Sequence, residues 1–160
     1  MSEIIKEADN KPEIQNWDDL NLKMNLLRGI YACGFENPSE IQKLAIKPII
    51  TGNDTIAQAQ SGTGKTGAFT ISTLQTIDTT LNHLQSVIIA PTQELAKQIY
   101  DVIKQLGEFM DNLKIQLLIG GTSVQGDIDS LRKATPHVVV GCSGRIFDMI
   151  KRRHLQRHTV

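Results

Sequence analysis

The chain has 160 residues, 40% of them apolar, and balances 17 basic against 17 acidic side chains. That length suits about one domain with a core of its own, and zero net charge removes any global field for nucleic acid, leaving only a local basic patch. Cys33 and Cys142 stand far apart without metal-ligand spacing, so no disulfide framework is expected, and two lone thiols suit the reducing cytoplasm, with the nucleus as the alternative.

Residues 1–16 are polar and charged, which predicts a disordered lead-in and excludes a secretory h-region. No apolar run reaches membrane-spanning length, so no membrane partner is expected. From Leu20 to Cys33, Leu26, Leu27, Ile30 and Tyr31 share one helical face, and Gly34 supplies a stop. Asn37-Pro38-Ser39-Glu40 predicts a second helix, with Asn37 as N-cap, Pro38 at the first helical position and Glu40 bonding back to the cap. Pro48 is expected to end or kink that helix near Lys47, and Thr51-Gly52-Asn53 to turn the chain into a strand over 54–58.

The run Ala59-Gln60-Ser61-Gly62-Thr63-Gly64-Lys65-Thr66 follows that strand and precedes the helical pattern beginning at Gly67. Strand, Gly-rich turn and helix N-terminus together aim backbone N–H groups and a positive dipole end at an anion. The pattern reads as a phosphate-binding loop for a nucleoside triphosphate. Lys65 would reach the β/γ-phosphates and the Thr66 hydroxyl would hold Mg²⁺. The strict pattern wants Gly where this chain has Ala59, and a flexible surface turn is the plain alternative.

Beyond it, short apolar strands and helices alternate: strands at 86–90, 114–119 and 137–140, helices at 93–109, 124–133 and 144–152. Continuous apolar strands separated by helices predict a three-layer α/β domain around a mainly parallel sheet. Gln42 lies 23 residues before Lys65, and its amide presents a donor beside an acceptor, matching adenine's N6 and N7 edge. Phe35 could stack on a purine. Taken alone, such a Gln is usually a solvated helix residue and such a Phe usually core.

Together, Gly34-Phe35-Glu36-Asn37-Pro38-Ser39-Glu40-Ile41-Gln42 and the Ala59–Thr66 loop resemble the DEAD-box ATP-dependent RNA helicases, and within them the eukaryotic translation initiation factor four-A subgroup. The resemblance runs from about Asn16 to about Arg153. After the lead-in over 1–16, it implies over 17–160 part of the N-terminal RecA-like ATP-binding lobe. It implies ATP and Mg²⁺ as cofactors, with Gln42 reading adenine, Phe35 stacking on it and Trp17 at the upstream aromatic position. Ala59 in the loop is that family's own habit. Pro91-Thr92-Gln93-Glu94-Leu95-Ala96 corresponds to motif Ia and Gly120-Gly121 to the double-glycine motif, both implied RNA-backbone contacts. Cys142-Ser143-Gly144-Arg145 corresponds to motif Ib, implying contacts from Ser143, Gly144 and Arg145.

Two departures stand out. Gln93 replaces an Arg and Cys142-Ser143 a Thr-Pro pair, so weaker RNA contact than the family norm is expected; a Gln93 that hydrogen-bonds only within the protein is the alternative. The basic run Lys151–His158 is read first as a solvated helix end. The family's Asp-Glu-Ala-Asp run does not occur before Val160. A chain lacking that strand and the second lobe is expected to bind ATP without turning it over, to leave sheet edges unpaired, and to need the second lobe or a scaffold protein. The competing readings are a non-catalytic nucleotide- or partner-binding module and a small P-loop kinase, the latter disfavoured by the spacing of Gln42.

Overall fold

The computed structural model describes residues 3–6 and 14–155, with side chains from residue 14 onward. The chain divides into two units, Met1–Thr76 with Gln105–Phe109, and Ile77–Lys104 with Met110–Val160. In the first unit, β1 (Glu3–Lys6) pairs in parallel with β2 (Thr55–Gln58), Glu3 opposite Thr55 and Lys6 opposite Gln58. This corrects the disordered lead-in at Glu3–Lys6: Ile4 and Ile5 favour extended backbone, and the N–H and C=O groups of β2 need partners. The rest of that stretch up to residue 13 lies outside the described residues.

A 3-10 turn, Trp17–Leu20, ends on left-handed Asn21 (φ 50°), so α1 spans Met24–Ala32 rather than beginning at Leu20. Leu26 and Ile30 are fully buried as their period requires, whereas Tyr31, expected beside them, is 47% exposed. Gly29 takes its place in the interior, because a Cβ there would lie 1.9 Å from the Leu106 carbonyl oxygen. Helix α2 (Glu40–Ile50) is capped two residues later than expected. Ser39, not Asn37, is the N-cap, and Gln42 rather than Glu40 reaches back, its Oε1 accepting from the Ser39 N–H at 2.8 Å. Ser-x-x-Gln is a capping-box pattern in its own right. The helix runs past Pro48 to Ile50, where the Thr51 hydroxyl closes its end by donating to the Lys47 and Pro48 carbonyls at 3.0 and 2.9 Å. Helix α3 (Lys65–Thr76) completes the unit and packs on α2.

The second unit runs β3 (Ser86–Ile89), α4 (Gln93–Leu106, whose last two residues belong to the first unit), β4 (Ile115–Leu118), α5 (Val124–Lys133), β5 (Val138–Gly141) and α6 (Ser143–Lys151). The strands are parallel in the order β3-β5-β4, with Val138 opposite both Ser86 and Ile115. The middle strand is the Val-Val-Val run, buried along its whole length as a strand covered on both faces must be. At its end Gly141 permits close pairing, since a Cβ would sit 2.0 Å from the Leu118 carbonyl oxygen. Leu118, Val139, Ile128, Leu131, Ile146 and Met149 form the centre of the core, joined by Leu84 and Leu155. The α/β alternation with parallel strands is therefore as the sequence predicts.

Candidate nucleotide and nucleic-acid sites

Between β2 and α3, the loop turns on Gly62 (φ 82°) and Gly64 (φ 101°), left-handed positions that glycine adopts without strain. Helix α2 lies directly against it. A Cβ at Gly64 would stand 2.7 Å from Ser39 Oγ and 2.9 Å from Gln42 Nε2, and one at Gly67 2.5 Å from Gln42 Nε2. Gln42, only 6% exposed, donates from Nε2 to the Gly64 carbonyl at 3.2 Å while its Oε1 serves the α2 cap. One amide hydrogen and one lone pair remain for a ligand. Half-buried Phe35 borders the same spot, its Cε2 3.8 Å from the Cβ position of Gly67. Trp17 departs from the expected ligand contact. It is fully buried and its indole N–H donates to the Phe35 carbonyl at 2.8 Å, so it holds the Phe35 backbone from beneath.

The Lys65 ammonium donates to the carbonyls of Ala59 and Gln60, which folds it over its own loop and leaves one N–H unassigned. Thr63 ties the turn by donating to the Gln60 carbonyl at 2.8 Å, and Gln60, Ser61 and Gly62 are exposed. Ser39 Oγ, beside Gly64, is buried with no hydrogen-bond partner among the described residues. A helix N-terminus, a lysine, the Thr66 hydroxyl and this orphan hydroxyl form a donor set that fits a polyphosphate. Among the described residues no three His, Cys, Asp or Glu side chains converge to hold a metal. Thr66, in the first turn of α3, is a residue that could hold Mg²⁺, a cation that retains water and phosphate oxygens in preference to a protein cage. Burial, and then the Glu108 charge, raise the Cys33 thiol pKa above its ordinary value, which favours the protonated form.

In the second unit, Pro91, Thr92, Gln93, Gly120, Gly144 and Arg145 line one groove of about 520 Å³. The sequence thus picks out residues that the fold does bring together. Glu94, Gly121 and Ser143 are exposed but not among the lining residues, and Gly121 shapes the turn at φ 77°. Thr92 Oγ1 accepts from the Leu95 N–H at 3.2 Å and so caps the start of α4. The Gln93 amide lies along the double glycine, with Nε2 3.0 Å from the Cβ position of Gly120. Asp148, missed in the sequence, also lines the groove, and its place one turn after Gly144 on α6 was the available signal.

Arg145 is engaged within the protein. Its guanidinium pairs with Asp127 and donates to the Thr122 hydroxyl and carbonyl at 3.0 and 2.9 Å, with the Arg145 and Asp127 side chains only 8% and 12% exposed. Asp148 in turn accepts from Arg152 Nε at 2.9 and 3.0 Å. What the groove offers an incoming strand is therefore neutral: the Gln93 amide, glycine backbone and the N-terminus of α6, where Gly144 has nothing within 4 Å of its Cβ position. No described helix is long and apolar enough to cross a membrane.

The family model of the DEAD/DEAH box helicases matches residues 39–160. An ATP-dependent RNA helicase eIF4A of Pyricularia oryzae is 53% identical over 150 residues, covering 94% of this chain and 37% of that protein. Its Aspergillus niger counterpart is 57% identical over 141 residues, covering 88% of this chain and 35% of that one. A DEAD box protein from Methanococcus jannaschii superposes with a TM-score of 0.84 at 36% identity, covering 91% of this chain and 39% of that chain. Saccharomyces cerevisiae Dbp5 bound to RNA and ADP BeF3 gives a TM-score of 0.79 at 32% identity, with 91% and 36% covered. This chain spans little more than a third of the length of the curated relatives it matches.

Proposed function

Because the chain belongs to the DEAD/DEAH box helicase family, we propose that it supplies the ATP-Mg²⁺-binding and RNA-backbone-contacting segment of an ATP-dependent RNA helicase of the initiation-factor-four-A type. The observation that carries this reading is Gln42, which is bonded to the α2 cap and to Gly64 of the phosphate loop while keeping one donor and one acceptor free. A base read by that amide is read by a group fixed to the phosphate cradle, so base identity and triphosphate geometry are sensed together. Lys65 would exchange the Ala59 and Gln60 carbonyls for phosphate oxygens, a stronger charge-assisted contact. Thr66 would hold the Mg²⁺ that neutralises the triphosphate. Nucleotide binding is assigned to this chain, and turnover to the two-lobed enzyme.

The groove between Gln93, Gly120 and Gly144 would take the RNA backbone without reading sequence. Strand remodelling then belongs to the two-lobed enzyme, in the translation-linked process of its relatives, in the cytoplasm. A second reading, a non-catalytic nucleotide- or partner-binding module, is favoured by one observation: the one cation that lines the groove among the described residues, Arg145, is already paired.

The test is a titration of adenosine and guanosine nucleotides with Mg²⁺ against the chain and its Lys65→Ala and Gln42→Ala variants. Adenosine nucleotides are expected to bind in preference to guanosine ones. Losing a hydrogen bond to a charged group should weaken binding roughly tenfold to a hundredfold in Lys65→Ala. Gln42→Ala should erase the base preference. Equal binding of both bases by a folded wild-type chain would sink the adenine assignment, and RNA-stimulated hydrolysis by this chain alone would assign it turnover.

A further inference from the structure

In the second unit a separate cavity of about 280 Å³ opens between the turn before β3, the end of α5 and the turn after α6. Its floor is Leu84, Leu131 and Leu155, all members of the buried core. Its rim carries His83, Arg132, Arg153 and His154, and among the described residues no carboxylate lines it. Neither arginine has an ion-pair partner among the described residues. The neighbouring basic residue Arg152 differs, being paired with Asp148. The amide oxygen of Asn82, on the wall, accepts from Lys114 Nζ at 3.1 Å, which leaves its N–H₂ end for a ligand.

The rim is built into the fold. Arg153 sits at φ 60°, a left-handed conformation uncommon for a residue with a Cβ. It is held there by the Arg153 N–H to Ile150 carbonyl bond at 2.9 Å and the His154 N–H to Met149 carbonyl bond at 2.9 Å, with Leu155 driven into the core at 4% exposure. The turn that carries Arg153 is thus fixed by the fold, and among the described residues neither its guanidinium nor that of Arg132 has an ion-pair partner.

We propose that this cavity is a binding site for a small organic phosphate, the phosphate between Arg132 and Arg153 and the apolar body on the leucine floor. Guanidinium forks match phosphate oxygens in pairs, and the imidazoles and the Asn82 amide add donors without adding an acid. The volume, about 280 Å³, falls just below the usual range of ligand sites, about 300 to 1,000 Å³, and so suits a small ligand. An enclosed leucine floor suits a compact ligand better than a polymer backbone. The site is independent of the nucleotide reading above and uses none of its residues.

Phenyl phosphate is the probe, titrated into the isotopically labelled chain while amide resonances are followed, with phenol and inorganic phosphate in parallel. Saturable shifts are expected at His83, Arg132, Arg153 and His154. The Arg132→Gln/Arg153→Gly pair should weaken them about tenfold or more. Arg153→Gly suits φ 60° and so preserves the turn, and Arg132→Gln alone, at an exposed position, gives the same direction should the pair misfold. Four results overturn the proposal: shifts confined to residues 60–66, equal shifts with phenol, affinity unchanged in both variants, or inorganic phosphate binding as tightly as phenyl phosphate. Tighter binding of a 5′-phosphorylated RNA oligonucleotide at these amides would overturn the assignment to a small ligand.

Discussion

Gln93 and Arg145 both line the groove, one neutral and one already paired with Asp127, and each has an outcome that can be measured. Gln93 lies against Gly120 and is exposed, so Gln93→Arg introduces a cation without displacing a buried group. RNA affinity should rise, and the dependence of log affinity on log salt should steepen by about 0.7, the value for one added phosphate contact on a single strand. Affinities measured across a salt series check both, and an unchanged slope would mean that no phosphate passes Gln93. Arg145→Ala should act on stability. It strands the Asp127 carboxylate in a largely desolvated place, which costs about 3–5 kcal/mol when one partner of a buried pair is removed. Denaturant unfolding of the variant reads this, and an unaltered midpoint would return Arg145 to the ligand. The motif around Arg145 was legible in the sequence, but its partners were not. Thr122 and Asp127 stand 23 and 18 residues away, and only the packing of α6 beside α5's first turn brings them to the guanidinium.

The strands and helices of the second unit were legible because each has its own apolar period, and the observed bounds differ from the expected ones by up to three residues. Caps were harder to read, since Asn37 and Ser39 are both good N-cap residues and only the fit of Gln42 against Gly64 selects the later one. β1 was missed because four residues in a polar stretch carry no period long enough to see. Two substitutions test whether such local devices stabilise their elements. Ser123 Oγ accepts from the Gly126 N–H at 3.1 Å to cap α5, so Ser123→Ala should cost about 1 kcal/mol. Gly141→Ala drives a methyl group to within 2.0 Å of the Leu118 carbonyl oxygen. Backbone cannot rotate away as a side chain can, so β4 must part from β5, at a cost of about 1–3 kcal/mol or more. Thermal melts of the two variants should rank Gly141→Ala well below Ser123→Ala; the reverse order would show that the β4–β5 edge is free to move.

At the scale of the whole molecule, the pH dependence of stability passes through His137, which no motif in the sequence singles out. It stands at the head of β5, 1% exposed. Its carbonyl accepts from the Gln85 and Ser86 N–H groups at 2.9 and 3.1 Å, and its own N–H donates to the Lys114 carbonyl at 2.9 Å, so it joins the starts of all three strands. Its ring Nδ1 accepts from the Lys114 N–H at 3.0 Å, which requires the tautomer with the proton on Nε2. Burial, the largest influence, lowers its pKa below the ordinary 6.5; a backbone hydrogen bond with Leu81 and the Asp78 charge oppose it, and Lys114 and His83 add to it. Protonating Nδ1 would also turn an acceptor into a donor facing the Lys114 N–H. The unfolded chain therefore binds the proton at a higher pH than the folded chain does. Between the two pKa values the unfolded state holds more protons, so stability falls with falling pH. The contribution is complete above about 6.5, is lost as the pH drops from there through the folded-state value, and changes no further below it. His137→Asn keeps an acceptor near Nδ1 and removes the titration, so it should flatten the wild-type decline between pH 7.5 and the acid limb while the carboxylates and remaining histidines titrate alike in both chains. Urea midpoints of the two proteins measured over about pH 5 to 8, where histidines titrate, give the difference directly. Parallel curves would mean that His137 is protonated in the folded chain as readily as in the unfolded one, and that the three-strand junction opens to let the proton in.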